Sequence, residues 1–211
     1  DYWGHQCLDF FDGMFAFVIW DKKEEELFIA RDRFGEKPFY YFHDSVHFIF
    51  ASEMKALWSV GIPKEMNHRM MLNYLTLGYV NHQSDKEVIF YKNIFSLPPA
   101  HYCTVSFQKF QSTPIKYWDI NRKLKINPSE EEAIEKFNTL FTTSVKKRLR
   151  SDVAIGTSLS GGLDSSAIVA VIQQLQSNTL QTFSATFPGF EKDESAYIKN
   201  VAEQFNIKNF Q

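Results

Sequence analysis

Apolar residues run unbroken through Met14-Phe-Ala-Phe-Val-Ile-Trp20, the pattern of a strand covered on both faces. A charged turn, Asp21-Lys-Lys-Glu-Glu25, separates it from a returning strand, Glu26-Leu-Phe-Ile-Ala-Arg-Asp32. Gly35 and Pro38 punctuate the next turn into Phe39-Tyr-Tyr-Phe42, and Val46-His-Phe-Ile-Phe50 reads as a fourth strand. Ser52 then stands as the N-cap of a short helix carrying Lys55 to Trp58. These elements predict an antiparallel, aromatic-rich β-meander with helices against it.

The pattern changes after Trp118. The meander stops, Asn121-Arg-Lys-Leu-Lys-Ile-Asn-Pro128 is polar, and Ser129 with Glu132 has the spacing of a capping box. A helix is predicted from there to about Leu149, with Ala133, Phe137, Leu140, Phe141, Val145 and Leu149 on one face. Lys146, Lys147, Arg148 and Arg150 crowd its end, where cations complement the helix dipole. Asp152-Val-Ala-Ile-Gly-Thr-Ser-Leu159 alternates as a strand with Val153, Ile155 and Leu159 on one side. Ile168, Val171, Ile172 and Leu175 then recur at helical spacing, and Leu180-Gln-Thr-Phe-Ser-Ala-Thr-Phe187 makes a second strand closed by Pro188-Gly189. The predicted domains are residues 1–118 and 129–211, with 119–128 as linker.

Between that first strand and its helix lies Ser160-Gly161-Gly162-Leu163-Asp164-Ser165-Ser166. A strand turning through two glycines into a helix presents backbone N–H groups and the positive end of the helix dipole, which suits phosphate. Gly161 and Gly162 allow positive φ and close approach of the backbone. The three serines offer hydroxyls, and Asp164 can cap the helix or hold Mg²⁺ through its carboxylate. No lysine occurs from Asp152 to Glu191, so this is not the Gly-x4-Gly-Lys-Ser/Thr loop. Asp193-Glu194-Ser195, at the entry to the next helix, can cap that helix or lie near a nucleotide.

Composition narrows the setting. The chain has 211 residues, 44% of them hydrophobic, with a net charge of −2. It has enough apolar content for a real core and gives no electrostatic reason to expect nucleic acid or an anionic membrane. No apolar run approaches a membrane span. Cys7 and Cys103 are too few for a disulfide scaffold, so a reducing cytoplasm is expected and both read as packing residues. The six histidines have no metal-ligand spacing. Arg31, Asp32 and Arg33 could bind a carboxylate, but a charged strand end more commonly makes structural ion pairs.

The loop resembles the pyrophosphate loop of the ATP pyrophosphatases. The words Asp12-Gly-Met-Phe-Ala-Phe17, Ala30-Arg-Asp-Arg-Phe-Gly-Glu-Lys-Pro-Phe-Tyr-Tyr41 and Ala51-Ser-Glu-Met-Lys-Ala-Leu57 resemble the later part of the class II (N-terminal nucleophile) glutaminase domain. Together, in this order, they resemble glutamine-dependent asparagine synthetases. The resemblance implies an α/β chain: part of a glutaminase αββα sandwich, then the start of a doubly wound parallel-sheet ATP-pyrophosphatase domain. It implies ATP and Mg²⁺ as cofactors and aspartate, glutamine and ATP as small-molecule partners, with no nucleic acid or membrane; a homodimer is compatible with it.

The same resemblance implies pyrophosphate contacts at Ser160, Gly161, Gly162, Leu163, Asp164, Ser165 and Ser166, Mg²⁺ at Asp164, and adenine contacts at Ser158 and Ala185, with Thr186 and Phe187 nearby. It leaves Asp193 and Glu194 as nucleotide-side candidates and Met14 as a candidate wall of an ammonia path, beside plain core packing. The family's nucleophile is an amino-terminal cysteine. Neither cysteine here is terminal, so no catalytic residue is assigned. The chain opens Asp1-Tyr2-Trp3-Gly4 and offers only two strands after residue 150, so a piece of a larger enzyme is expected, with the acceptor pocket beyond Gln211. A relative amidating another carboxylate or closing a β-lactam, and a catalytically silent scaffold, remain alternatives.

Overall fold

The computed structural model describes residues 2–106, 113–175 and 180–211. The chain forms two compact units, residues 1–124 and 125–211. Both mix helices and strands.

In the first unit, a 3-10 segment Gly4–Phe10 precedes β1 (Ala16–Asp21) and β2 (Glu26–Arg31), which pair antiparallel. The chain then leaves this sheet. β3 (Tyr40–His43) and β4 (Phe48–Ala51) pair with each other, and β5 (Phe95–Ser96) joins the far side of β3. β6 (His101–Ser106) returns to β2, with β7 (Ile115–Lys116) outside it. The expected single meander is therefore two sheets, ordered β1-β2-β6-β7 and β4-β3-β5. The break falls at the Gly35–Pro38 turn, where Pro38 cannot donate to a ladder.

Ile29 of β2, Cys103 and Val105 of β6, and Phe39 and Tyr41 of the β3 segment share one buried cluster with Leu97. Tyr40 and Phe42 alternate to the other side of β3 and meet Leu57, Ile62 and Ile94, the core under α1 (Met54–Ser59). β3, unlike the Met14–Trp20 run, is covered on both faces. Met14 lies before β1 and is 48% exposed, and Ile19 and Trp20 are also exposed. α1 begins after Glu53, which makes no side-chain cap, so Ser52 is not its N-cap. A second helix, α2 (His68–Leu77), was not legible in the apolar pattern. It is delimited by Asn67, whose side chain accepts from Met70 N–H, and by left-handed Gly78.

The second unit opens with α3 (Glu130–Arg148) on the expected capping box: Ser129 Oγ accepts from Glu132 N, and Glu132 Oε2 accepts from Ser129 N. Only the later part of its apolar stripe is covered. Phe141, Val145 and Leu149 join the core, whereas Phe137 is 64% exposed and Leu140 is also exposed. β8 (Gly156–Ser158) and β9 (Gln181–Phe183) are shorter than the runs that suggested them, and Val153 is exposed. The two-strand expectation is overturned by β10 (Lys208–Phe210), which pairs parallel with β9 and gives the order β10-β9-β8. Helices α4 (Leu163–Leu175) and α5 (Ser195–Gln204) contribute Val169, Ile172 and Ile198 to one core with Leu159, Leu180 and Ile207. On the other side of the sheet Phe183 and Phe210 stack on each other and remain partly exposed.

Candidate functional site

The short strand β8 ends at Ser158, and after four intervening residues α4 begins at Leu163. Leu159 anchors the exit: it is buried, and its N–H donates to Phe183 O (2.9 Å) while its carbonyl accepts from Ser184 Oγ (2.5 Å). The chain then turns outward through Ser160, Gly161 and Gly162. Gly161 has φ +78°, and a Cβ there would lie 2.6 Å from Tyr197 Cβ and 2.7 Å from Ile198 N. Only glycine fits: the conformation is left-handed, and the neighbour is the backbone of α5's first turn, which cannot swing aside as a side-chain end could. The beginnings of α4 and α5 thus meet at this loop.

The serines divide their work. Ser160 Oγ lies 3.0 Å from Ser165 Oγ, and Ser165 Oγ donates to Gly162 O (3.2 Å). These hydroxyls brace the turn from inside rather than standing free as donors to an outside group. Ser166 is different. Its Oγ is buried and finds no hydrogen-bond partner among the described residues, an arrangement that costs free energy unless a ligand or water completes it. Leu163 and Asp164 occupy the first turn of α4 with exposed side chains. The turn presents N–H groups that have no intrahelical acceptor, at the positive end of the helix dipole. A glycine cradle closed by backbone, an orphaned hydroxyl and an outward carboxylate together suit a polyphosphate with an accompanying cation.

Ser158 lies at the carboxyl end of β8 and Ala185 two residues past β9, so both stand at the strand ends beside the loop. Asp193 Oδ1 accepts from Phe187 N (2.9 Å) and from Ser195 Oγ (2.8 Å). Those two bonds, the backbone N–H first, hold its carboxyl below the usual range. Glu194 is the N-cap of α5 but makes no side-chain cap bond. Met14 belongs to the first unit.

The chain matches the asparagine synthase family over residues 136–211 and the glutamine amidotransferase domain family over residues 1–118. A Methanocaldococcus jannaschii protein, provisionally named asparagine synthetase (glutamine-hydrolysing) 2, is 37% identical across 98% of this chain and 40% of its own length. Asparagine synthetases (glutamine-hydrolysing) 3 and 2 of Bacillus subtilis are 33% and 32% identical, over 96% and 94% of the chain and 34% and 27% of theirs. The chain belongs to the glutamine-hydrolysing asparagine synthetase family. It spans two fifths or less of the length of these relatives.

In the synthetase family's glutaminase words, the charged run Arg31-Asp32-Arg33 is bound into the fold, but the bonds of Arg31 and Asp32 among the described residues go to backbone groups and one serine rather than to ion-pair partners. Asp32 is 0% exposed, and its carboxylate accepts from the backbone N–H groups of Phe15, Phe34, Glu36 and Lys37. Arg31 donates to the carbonyls of Gly35, Lys37 and Leu97 and to Ser96 Oγ. The pair knits the β2 exit to β5, across 66 residues of sequence for the Arg31–Leu97 bond. Sequence reasoning also missed the Asp193 link and Tyr117, whose hydroxyl donates to Arg31 O (2.9 Å). The one signal available for either was residue type beside a turn.

Proposed function

We propose that the full-length protein is a cytoplasmic enzyme that converts aspartate, ATP and glutamine to asparagine, AMP, pyrophosphate and glutamate. The observation that carries this reading is the loop 160–166. It lies between a parallel strand and a helix start, with Gly161 seated on α5 and Ser166 Oγ buried without a partner, in a chain whose first part matches glutamine amidotransferases. On this reading the first unit is part of a glutaminase sandwich and the second is the beginning of a doubly wound nucleotide domain.

The assigned roles follow from position. Backbone N–H groups of Gly161 to Ser165 and the Ser166 hydroxyl hold the β- and γ-phosphates, and the main chain at Ser158 and Ala185 holds the adenine. Asp164 would hold Mg²⁺, which would supply charge neutralisation for the leaving pyrophosphate. The side-chain carboxylate of aspartate attacks the α-phosphorus, the bond to the bridging oxygen breaks, and pyrophosphate leaves. The loop's oriented donors stabilise the charge that develops on it. Ammonia from glutamine then attacks the aspartyl carbonyl of the acyl-adenylate, releasing AMP.

The test is product analysis by mass spectrometry on the full-length protein with aspartate, glutamine, ATP and Mg²⁺. Asparagine with equal amounts of AMP and pyrophosphate is expected. Formation of ADP in place of AMP, or no asparagine with aspartate as acceptor, refutes the reading.

A further inference from the structure

The hydroxyls of Ser160 and Ser165 brace the loop 160–166 from inside, but its position is also set from outside. Gly161 lies against the backbone of Tyr197 and Ile198 so closely that not even a methyl group separates them, the nearest approaches for an added Cβ being 2.6 to 2.8 Å. The position of α5's first turn therefore sets where Gly161 can be. Ile198 is fully buried, which fixes the helix from the core side. Its start needs a second restraint, because Glu194 supplies no side-chain cap.

Asp193 supplies that restraint. Its Oδ1 takes the hydroxyl of Ser195, the first residue of α5, and the N–H of Phe187, beyond the end of β9. Two backbone bonds, Phe190 N to Phe187 O (2.9 Å) and Asp193 N to Phe190 O (3.0 Å), complete the staple. From there Tyr197 N and Ile198 N both donate to Glu194 O, so the register that begins beside Asp193 ends at the atoms touching Gly161. On the opposite side Ser184 Oγ holds Leu159 O. The loop is thus pinned between two strand-end contacts that lie on either side of the Phe187–Asp193 turn.

We propose that Asp193 is a positioning residue for the phosphate loop: it fixes the start of α5, and α5 in turn fixes Gly161. Its single engaged oxygen does this work as a hydrogen-bond acceptor. The carboxylate's charge is secondary, and no direct contact with nucleotide or metal is required of it. The proposal rests on the reading of loop 160–166 as an ATP site.

The experiment uses the full-length protein and a fluorescent ATP analogue with Mg²⁺, with glutamine hydrolysis followed in parallel. Asp193→Ala should weaken analogue binding about tenfold, the scale of a lost hydrogen bond, with glutamine hydrolysis unchanged. Asp193→Asn keeps an acceptor oxygen and should stay within about threefold of wild type. Ser195→Ala should show a smaller loss, and adding it to Asp193→Ala should weaken binding no further. Wild-type affinity in Asp193→Ala overturns the proposal. So does an Asn variant as weak as the Ala variant, which would mean that the charge acts directly on metal or phosphate. If Asp193→Ala does not fold, the Asn and Ser195→Ala variants carry the test, and unchanged binding in Ser195→Ala overturns it. Wild type that binds the analogue but makes no asparagine refutes the proposed reaction and leaves the affinity ratios to decide this proposal; wild type that binds no analogue refutes both.

Discussion

Replacing Asp32 with asparagine probes the joint that holds the first unit together. The wild-type carboxylate is fully buried and accepts four backbone N–H groups: Phe34 (3.1 Å) and Glu36 (2.9 Å) on Oδ1, Lys37 (3.0 Å) and Phe15 (3.3 Å) on Oδ2. Asparagine keeps one oxygen and turns an NH₂ group toward the other two donors. Two bonds to a charged acceptor are lost and two N–H groups are left facing a donor, which costs about 2 to 4 kcal/mol. Burial alone would raise the Asp32 pKa, but the four N–H groups, Lys37 first, outweigh it and hold the carboxyl below its usual value. A lowered folded pKa means that stabilisation is complete above about pH 4, the unfolded value, and is lost as the pH falls through the folded value. All four tryptophans, Trp3, Trp20, Trp58 and Trp118, lie in this unit, so urea unfolding of the chain followed by tryptophan fluorescence reports on it. The wild-type advantage should be about 2 to 4 kcal/mol at pH 7 and should shrink steadily below pH 4. An Asn variant within about 0.5 kcal/mol of wild type at pH 7, the scatter of ordinary surface substitutions, would refute the argument, as would a gap that does not narrow in acid.

Gly161→Ala places a Cβ against α5's backbone at a left-handed φ, and in the full-length protein it should reduce affinity for an ATP analogue by at least about tenfold, the effect of roughly 1.4 kcal/mol or more of strain; equilibrium titration checks it. Tyr117→Phe removes the bond to Arg31 O and should cost about 1 kcal/mol in urea unfolding. Burial first, and then the charge of Asp32, push the Tyr117 hydroxyl up to about 12. Its contribution is therefore present below pH 10 and lost as the pH rises toward 12, and absorbance titration should find one fewer late-ionising tyrosine in the Phe variant. Ser129→Ala removes the hydroxyl that accepts from Glu132 N–H, the side-chain half of the capping box on α3, and should lower stability by about 1 kcal/mol with loss of helical signal in far-ultraviolet circular dichroism.

What the sequence determined by itself was local. The capping box at Ser129 and Glu132 needs only residues three apart, and the loop 160–166 needs only a strand, two glycines and a helix in succession. Both could be read because their hydrogen bonds and dihedrals are set within one turn of chain. The apolar run Met14–Trp20 misled because a hydrophobic strand carries no mark of which faces meet a partner. β3 is covered on both faces instead, and its neighbours β4, β5 and α1 are decided by pairing across up to about 55 residues. β10 was missed because Lys208-Asn-Phe210 alternates too briefly to signal a strand; its parallel place beside β9 comes from α5 returning the chain to the sheet edge. Asp32 read as one member of a charged run because its four donors come from a turn and from Phe15, brought around it only when β1 and β2 pair. The same holds for Gly161. Its type and place marked a tight strand-to-helix turn, but the reason no other residue fits there is the first turn of α5, about 35 residues farther along and against it only in the folded chain.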